Sequence, residues 1–152
     1  MEIDIEKSCS FTGHRIIKND FNLQKFDDLL ESLINDGYNT FLIGMAIGFD
    51  TLAFERLLLK KEKNIKIIAC IPCREQDKFF NKKEKEKYKY LLEKADEKIF
   101  FSEEYDDGCM FVRNRFMVDN SSTLIAYFYK KIGGTYYTIN YAEKKRKNII
   151  YI

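Results

Sequence analysis

Residues 40–61 read TFLIGMAIGFDTLAFERLLLKK, which predicts a strand, a glycine loop and a helix in succession. The apolar run Thr40–Ile43 is typical of a short buried strand, and Gly44 ends it. After a second glycine, Gly48, the segment Asp50–Lys61 places apolar residues at helical spacing. A strand that passes directly into a helix is the unit from which parallel sheets are built.

The same alternation continues along the chain, with short connections between the elements. The predicted strands are Ser8–Thr12, Thr40–Ile43, Ile65–Ile71, Lys98–Phe101, Thr123–Tyr127 and Asn148–Ile152. The predicted helices are Phe21–Asn35, Asp50–Lys61, Asn81–Ala95, Gly108–Asn120 and Thr135–Lys145. Strict alternation requires right-handed crossovers. We therefore expect an α/β fold, a Rossmann-like three-layer α/β/α domain with a mostly parallel sheet of about six strands.

The composition is that of one globular domain, and we expect residues 1–152 to form it. Hydrophobic residues make up 45% of the 152, which is enough for one core. The formal net charge of +2 argues against nucleic-acid binding, which needs a basic surface. No apolar run approaches the roughly 20 residues that span a membrane. The acidic segment Met1–Lys7 does not resemble a signal peptide, so we expect a cytoplasmic protein.

The cysteines of the chain predict free thiols in a reducing compartment. Cys70 and Cys73 form a Cys-x-x-Cys pair, which invites a thioredoxin-type redox interpretation. That fold places a cis-proline opposite the motif, whereas the one proline here, Pro72, lies inside it. A zinc site is disfavoured because the sequence contains one close cysteine pair. We predict neither a metal nor a required cofactor.

Ligands of open parallel sheets bind where loops leave the carboxyl ends of the strands. The loops predicted at that edge are Gly13–Arg15, Gly44–Asp50, Pro72–Asp77, Glu103–Arg113 and Tyr129–Thr138. The candidate ligand-binding residues in or near them are Gly13, His14, Arg15, Gly44, Gly48, Asp50, Arg74, Gln76, Arg113, Asn114, Asn120, Gly133, Gly134, Thr135 and Thr138.

Two glycine loops are the main indication of an anionic ligand. Gly44 and Gly48 precede one predicted helix, and Gly133-Gly134-Thr135 opens the last one. Glycine lets backbone N–H groups approach a phosphate at the positive end of a helix. Neither loop matches the dinucleotide fingerprint or the P-loop. The alternative is a pair of tight turns in which Asp50 or Thr51, and Thr135, are helix N-caps.

Other candidates are polar side chains that follow strands. His14 and Arg15 come after the first strand, and ligand contact is a better hypothesis for His14 than acid–base catalysis. Arg113 and Asn120 are seven residues apart and share one helical stripe. An arginine there suits a phosphate, although a salt bridge with Asp106, Asp107 or Asp119 is an equal alternative. The polar run 74–77 is either a ligand-reading loop or a solvated turn.

Taken together in order, these motifs resemble the YpsA-like group of the SLOG superfamily, which is named for its Smf/DprA and LOG members. The resemblance rests on Cys9–Arg15, Gly44–Asp50, Ile71–Cys73, Gln76–Asp77, Cys109–Met110, Arg113–Arg115, Met117–Asn120 and Gly133–Thr135. It implies a Rossmann-like fold and a pocket for nucleotides or nucleotide-derived signals, such as NAD-like or ADP-ribose-like molecules. Relatives are linked to cell division, stress and antiphage signalling, and phages encode small proteins that trap such signals.

The resemblance also bears on catalysis. LOG enzymes cleave the base from nucleoside monophosphates and carry a motif similar to Pro-Gly-Gly-x-Gly-Thr-x-x-Glu. This chain has Ile132 in place of the proline and Thr138 in place of the glutamate. We therefore expect no LOG-type hydrolysis, with Glu55 as a candidate replacement carboxylate that no sequence feature places. DprA-like members bind single-stranded DNA, which the near-zero net charge argues against here.

The sequence thus favours a non-catalytic nucleotide-binding domain that acts as a sensor, regulator or sequestering protein. Backbone amides of the glycine loops would hold phosphate, Arg15 and Arg113 would balance charge, and Gln76 and Asn120 would read sugar or base. The first alternative is a glycosidic-bond hydrolase that uses Asp50 or Glu55. The second is a protein-interaction module with an aromatic patch at Tyr136, Tyr137 and Tyr141. Aromatic residues make up 15% of the chain, so we expect a homo-oligomer.

Overall fold

The computed structural model describes residues 2–152 and contains the predicted six strands. The strands are β1 Ser8–Gly13, β2 Thr40–Ile43, β3 Lys66–Ile71, β4 Glu97–Phe100, β5 Thr123–Tyr127 and β6 Asn148–Tyr151. The helices are α1 Leu23–Asn35, α2 Phe49–Leu58, α3 Lys82–Lys94, α4 Cys109–Asp119 and α5 Gly133–Lys144, with single 3₁₀ turns at Ile5–Lys7 and Lys61–Lys63.

The strands form one sheet in the order β4-β3-β2-β1-β5-β6, and every neighbouring pair is parallel. The predicted α/β Rossmann-like fold is therefore confirmed. The chain builds outward from β1 to β4, then returns to the other side of β1 for β5 and β6. The carboxyl ends of β1 and β5 are thus the point where the strand order reverses, which is where such sheets bind ligands.

Helix starts differ from the sequence predictions where a side chain or a glycine fixes the first turn. α1 begins two residues later than predicted because the Asn22 side chain accepts the Lys25 N–H at 3.0 Å. The N-cap of α2 is Gly48, so the predicted caps Asp50 and Thr51 are wrong. α5 begins at Gly133, two residues earlier than predicted, so Thr135 lies inside the helix and does not cap it.

An aromatic cluster packs α2 against β1. Phe49, the first residue of α2, is fully buried, and its ring lies 5.3 Å from Phe26 and 5.6 Å from Tyr127 between centroids. Phe11 of β1 lies 6.3 Å from the same ring. Burial of side chains this large contributes several kcal/mol to folding. The cluster therefore fixes the start of α2 beside the carboxyl end of β1. In residues 2–152, no helix is both long enough and apolar enough to cross a membrane.

Gly48 is required by two constraints at once. Its φ is +93°, and a Cβ there would collide with the backbone of Arg15. Gly37, at the opposite end of the sheet, has a similar φ of +104° but no atom within 4 Å of a Cβ position.

We expect Gly37→Ala to lower the free energy of unfolding by about 1 kcal/mol, from backbone strain alone. Gly48→Ala should lower it by about 3 kcal/mol or more, because the β1 loop must also move.

Urea denaturation of both variants beside the wild type measures these losses. The Gly37 variant is the matched control, since it has the same backbone conformation without the close contact. Equal losses for the two variants would contradict the packing role of Gly48.

Candidate functional site

A cavity of about 1110 Å³ opens at the carboxyl edge of the sheet, at the reversal point between β1 and β5. All five predicted loops contribute to its lining. The lining residues in these loops or next to them are 13–16; 44, 46, 47 and 50; 73, 75, 76 and 78–80; 105, 110, 111, 113 and 114; and 129, 130 and 132–135. Its volume is slightly above the usual range for small-molecule sites, roughly 300–1,000 Å³. The alternation of strands and helices therefore brings distant loops to one site.

Eleven of the fifteen candidate residues line this cavity. They are Gly13, His14, Arg15, Gly44, Asp50, Gln76, Arg113, Asn114, Gly133, Gly134 and Thr135. The remaining four candidates, Gly48, Arg74, Asn120 and Thr138, are not among the lining residues.

The guanidinium of Arg113 lies beneath the cavity and connects three elements. Only 3% of Arg113 is exposed. Its Nη1 donates to the Gly44 carbonyl after β2 and to the Cys70 carbonyl of β3, the latter at 3.1 Å. Its Nε donates to the Asn114 side chain at 2.7 Å. Nη1 of Arg113 therefore joins α4 to the ends of β2 and β3, a role that the sequence did not indicate.

Gly44 makes that arrangement possible. A Cβ at this position would lie 2.7 Å from Nη1 of Arg113 and 3.1 Å from Oδ2 of Asp50. Any larger residue would therefore displace the buried arginine. The Gly44 carbonyl also accepts a hydrogen bond from Nε2 of Gln76 at 2.9 Å, while the Tyr88 hydroxyl donates to Gln76 Oε1 at 3.1 Å. Gln76 thus orients the Gly44 loop.

Asp50 is the buried carboxyl of the site, with 7% of its surface exposed. Its Oδ2 accepts the Ala46 N–H at 3.1 Å, whereas Oδ1 has no hydrogen-bond partner among the described residues. Burial raises the pKa of Asp50 to about 6, although Arg113 and the Ala46 amide act in the opposite direction. An unpaired buried carboxyl oxygen is unfavourable, and a ligand hydroxyl would relieve it.

His14 is held in place as a neutral ring. Its Nε2 accepts the Lys130 N–H at 3.3 Å, and its ring lies edge-on to Tyr129 with 4.3 Å between centroids. Burial lowers the pKa of His14, and the charges of Lys130 and Lys18 lower it further. With Nε2 as an acceptor, the neutral ring carries its proton on Nδ1. No group of three metal-binding side chains occurs in residues 2–152, at His14 or elsewhere.

The start of α5 offers the accessible backbone amides. Its N-cap residue, Ile132, makes no side-chain cap. A Cβ on Gly133 would meet nothing within 4 Å, and one on Gly134 would meet only the Asn114 amide at 3.8 Å. Because the first N–H groups of a helix have no partner within it, this turn presents free donors to the cavity. The glycines near α2 are packed, whereas those of α5 are open.

Exposed apolar side chains at the cavity mouth were not predicted from sequence. These mouth residues are Ile16, Phe79, Tyr105, Phe111 and Ile132. Phe79 is 91% exposed and Tyr105 is 63% exposed, although both lie in strongly charged loops. An aromatic residue inside a polar loop is the sequence signal that identifies them, because such a loop gives the ring no core to enter.

The family model described as YspA SLOG family, or YpsA, matches residues 14–152. The chain belongs to this family. It is 32% identical to the SPbeta prophage-derived protein YoqJ of Bacillus subtilis (strain 168), over 84% of this chain and 85% of that one. The resemblance found in the motifs is therefore confirmed.

Two solved structures of DNA processing protein A share the fold of this SLOG chain. The Streptococcus pneumoniae structure has a TM-score of 0.66 at 19% identity, and the match covers 97% of this chain and 50% of that one. The Helicobacter pylori structure has a TM-score of 0.70 at 20% identity, with 95% and 64% covered. The SLOG chain therefore spans between half and two-thirds of the length of these proteins.

The four candidates outside the cavity lining have other contacts in the SLOG chain. Arg74 pairs with Glu103 at 2.8 Å. Asn120 ends α4, and its side chain donates to the Phe116 carbonyl at 2.8 Å. The Thr138 hydroxyl donates to the Gly134 carbonyl at 2.8 Å. Gly48 lies against the Arg15 backbone.

The structure also decides two alternatives that the sequence left open, the salt bridge of Arg113 and the replacement carboxylate Glu55. Arg113 forms no salt bridge with Asp106, Asp107 or Asp119, because its guanidinium points inward to the Gly44 and Cys70 carbonyls. Glu55 pairs with Lys87 of α3 at 3.2 Å and is not a lining residue, so it is not positioned as a replacement carboxylate.

We expect the stability of the SLOG chain to depend on pH through Asp50. Its pKa is about 6 in the folded chain, against about 3.9 for an unperturbed aspartate. Between these values the folded state binds more protons than the unfolded state, so stability falls as pH rises through the interval. Relative to Asp50→Asn, the wild type should lose about 2 kcal/mol of unfolding free energy between pH 4 and pH 7.

Urea denaturation of wild type and variant at several pH values between 4 and 7 measures this difference. Asp28→Asn, on the exposed surface of α1, is the control for removal of a carboxylate. A difference between the wild type and Asp50→Asn that stays constant across the interval would contradict the burial of a strained carboxylate.

Proposed function

We propose that this SLOG chain binds a nucleotide-derived small molecule of the NAD or ADP-ribose type in the cavity, without cleaving it. The observation that carries the proposal is the uncapped first turn of α5, where Gly133 and Gly134 leave the backbone open to a cavity of about 1110 Å³. Free amides at the positive end of a helix bind phosphate groups. The family membership supports the same ligand class.

Charged side chains around the cavity suit a phosphorylated ligand. Arg15, Lys78 and Lys130 line it, against the carboxylates of Asp50 and Glu75. Oδ1 of Asp50, which has no hydrogen-bond partner among the described residues, would accept a hydrogen bond from a ribose hydroxyl. The aromatic residues at the cavity mouth offer faces for a base, since stacking contributes about 1–3 kcal/mol per base.

The absence of catalysis is supported by the residues at the LOG-like position. Thr138 replaces the glutamate of that motif, and its hydroxyl is hydrogen-bonded to the Gly134 carbonyl. Glu55 is engaged with Lys87 away from the cavity. Because the relative YoqJ is prophage-derived, sequestration of a signalling nucleotide is the role that we favour over sensing.

The test is retention of ligand by the purified chain. We would incubate it with AMP, NAD, ADP-ribose and cyclic ADP-ribose, remove unbound material, denature the protein and identify released molecules by mass spectrometry. Recovery of one intact molecule in near-stoichiometric amount is expected. Recovery of nothing, with nothing cleaved, would overturn the proposal and favour a protein partner.

Gly134→Asp should weaken binding of ADP-ribose, or of the panel member retained, by about tenfold or more. A carboxylate at this position repels phosphate, and tenfold corresponds to about 1.4 kcal/mol. Gly134→Asn has nearly the same size without the charge, so its smaller loss of affinity separates repulsion from bulk. Isothermal titration calorimetry measures both. Equal affinity for wild type and the Asp variant would show that phosphate does not bind at α5.

A second candidate function is hydrolysis of the glycosidic bond of a nucleotide, and Asp50 is the observation that favours it. A cavity carboxyl with a pKa near 6 suits general acid–base catalysis. In this case the same panel would yield free base and a ribose phosphate. Asp50→Asn should then abolish turnover while circular dichroism shows an unchanged fold, and turnover that survives the substitution would exclude Asp50 as the catalytic acid or base.

Single-stranded DNA is a further ligand that the panel should contain. Helicobacter pylori DNA processing protein A, which shares this fold, has a single-stranded DNA binding mode. That likeness weakens the expectation, drawn from the net charge of +2, that nucleic acid is not a ligand. Fluorescence anisotropy with a labelled oligothymidine distinguishes the two: saturable binding that ADP-ribose does not displace would favour DNA.

A further inference from the structure

We propose that the cavity mouth is the contact surface of a two-fold symmetric dimer, in which a second copy of this chain covers the mouth. The mouth has an acidic rim and a basic rim. The acidic rim is the exposed loop Glu103–Asp107, which follows β4. The basic rim consists of the exposed residues Arg15, Lys18, Lys130 and Lys131, which follow β1 and β5. A surface that carries opposite charges on its two sides is complementary to itself.

The strand order separates the two rims. β4 is an edge strand of the sheet, whereas β1 and β5 lie three and four strands away from it. With about 4.8 Å between neighbouring strands, the rims are about 14–19 Å apart across the mouth. That separation exceeds the Debye length, which is about 10 Å at 0.1 M salt. The two rims therefore do not neutralise each other within one chain.

The acidic rim carries carboxylates without internal partners. Glu103 pairs with Arg74 of the loop after β3 at 2.8 Å, which holds the rim in position. Glu104, Asp106 and Asp107 form no ion pair within residues 2–152. The segment 102–108 contains neither lysine nor arginine. The rim therefore presents net negative charge to a partner.

The basic rim is held in position by two tyrosines. The Tyr127 hydroxyl accepts the Lys18 N–H at 3.0 Å, and Nζ of Lys18 lies 4.0 Å from the centroid of the Tyr129 ring. The Tyr129 hydroxyl donates to the Ile16 carbonyl at 3.0 Å. In the part of the chain that the structure describes, no side chain of the basic rim forms an ion pair. These positive charges are therefore available to a second molecule.

Exposed apolar side chains accompany both rims. Tyr105 lies within the acidic rim, and Ile16 and Ile132 adjoin the basic residues; each of the three is more than half exposed. Exposed ion pairs contribute little to association by themselves. A contact in which Tyr105 of one copy packs against Ile16 and Ile132 of the other would also remove apolar surface from water. The same surface thus offers both charge complementarity and apolar burial.

A two-fold axis in the plane of the mouth satisfies both rims. It places the acidic rim of each copy on the basic rim of the other, so every contact is formed twice. Nucleic acid, an alternative partner for the basic rim, would meet the negative charge of the acidic rim at the same surface. The charge pattern therefore favours a second copy of the chain. The inference does not depend on the proposed ligand.

Sedimentation velocity of the full-length chain, without added ligand, measures the oligomeric state. At about 100 μM protein and about 0.05 M salt we expect a species of twice the 18.1 kDa chain mass, which dissociates more readily at about 0.5 M salt because screening weakens the ion pairs. A monomer at the lower salt concentration, or a series of species larger than the dimer, would overturn the proposal.

Charge reversal tests which surface forms the dimer. The acid-reversed variant carries Glu104→Lys, Asp106→Lys and Asp107→Lys, and the base-reversed variant carries Lys18→Glu, Lys130→Glu and Lys131→Glu. Each variant alone should self-associate at least tenfold more weakly than the wild type, because like charges then meet at both contacts. An equimolar mixture of the two should form a heterodimer, because each reversed rim then faces its opposite.

The matched control reverses three lysines at the opposite edge of the sheet. Lys89→Glu, Lys94→Glu and Lys144→Glu lie towards the carboxyl ends of α3 and α5 and change the net charge as much as the base-reversed variant does. This control should dimerise like the wild type, and circular dichroism checks the fold of every variant. Wild-type association in both rim variants, or a mixture that stays monomeric, would show that the rims do not form the interface.

Carbodiimide crosslinking of the wild type covers the case in which the variants fail to fold. The reagent joins a carboxylate directly to a lysine amine that it contacts. We expect the dimer band to contain peptides in which Glu104 or Asp107 is linked to Lys130 or Lys131. Because the rims lie on opposite sides of the mouth, such a link reports contact between two copies. A dimer band with links from other surfaces alone would contradict the proposed interface.

Discussion

The rest of the site depends on the hydrogen bonds that the buried guanidinium of Arg113 makes. It donates to carbonyls at the ends of β2 and β3 and to the Asn114 side chain, and its charge faces Asp50. Removing one member of such a cluster leaves the others buried without partners, which typically costs about 3–5 kcal/mol. Gly44 is a consequence of this constraint, because no side chain fits beside the guanidinium.

This arrangement explains why the cavity has a polar floor and an apolar mouth. The floor is held by hydrogen bonds among Arg113, Gly44 and Gln76, with Tyr88 behind them. One oxygen of Asp50 has no hydrogen-bond partner among the described residues, and its pKa is raised; neither feature favours folding. Strained and unsatisfied groups of this kind cluster at functional sites. In the proposed function, the polar floor would contact a ribose hydroxyl of the ligand, and the apolar mouth would contact its base.

The contacts of Arg113 also fix α4 against the sheet. By donating to the Cys70 carbonyl, Arg113 holds one face of α4 against the end of β3. The glycines of the cavity loops fall into two groups, those that are packed and those that are open to the cavity. Gly13, Gly44 and Gly48 are packed against neighbouring atoms, whereas Gly133 and Gly134 are open. Glycine-rich loops that are similar in sequence therefore have different structural roles at this edge of the sheet.

The sequence by itself determined the alternation of strands and helices, and from it the parallel sheet and the edge where the loops meet. The alternation follows from the hydrophobic periodicity of each segment, which can be identified one segment at a time. The parallel sheet and its ligand-binding edge then follow from the handedness of the crossovers. The family motifs added the ligand class as an expectation. Only the tertiary structure decided that Arg113 faces inward and that Asn120 lies outside the cavity lining. Such contacts join residues tens of positions apart, and their distances depend on how whole elements pack, which no local pattern encodes.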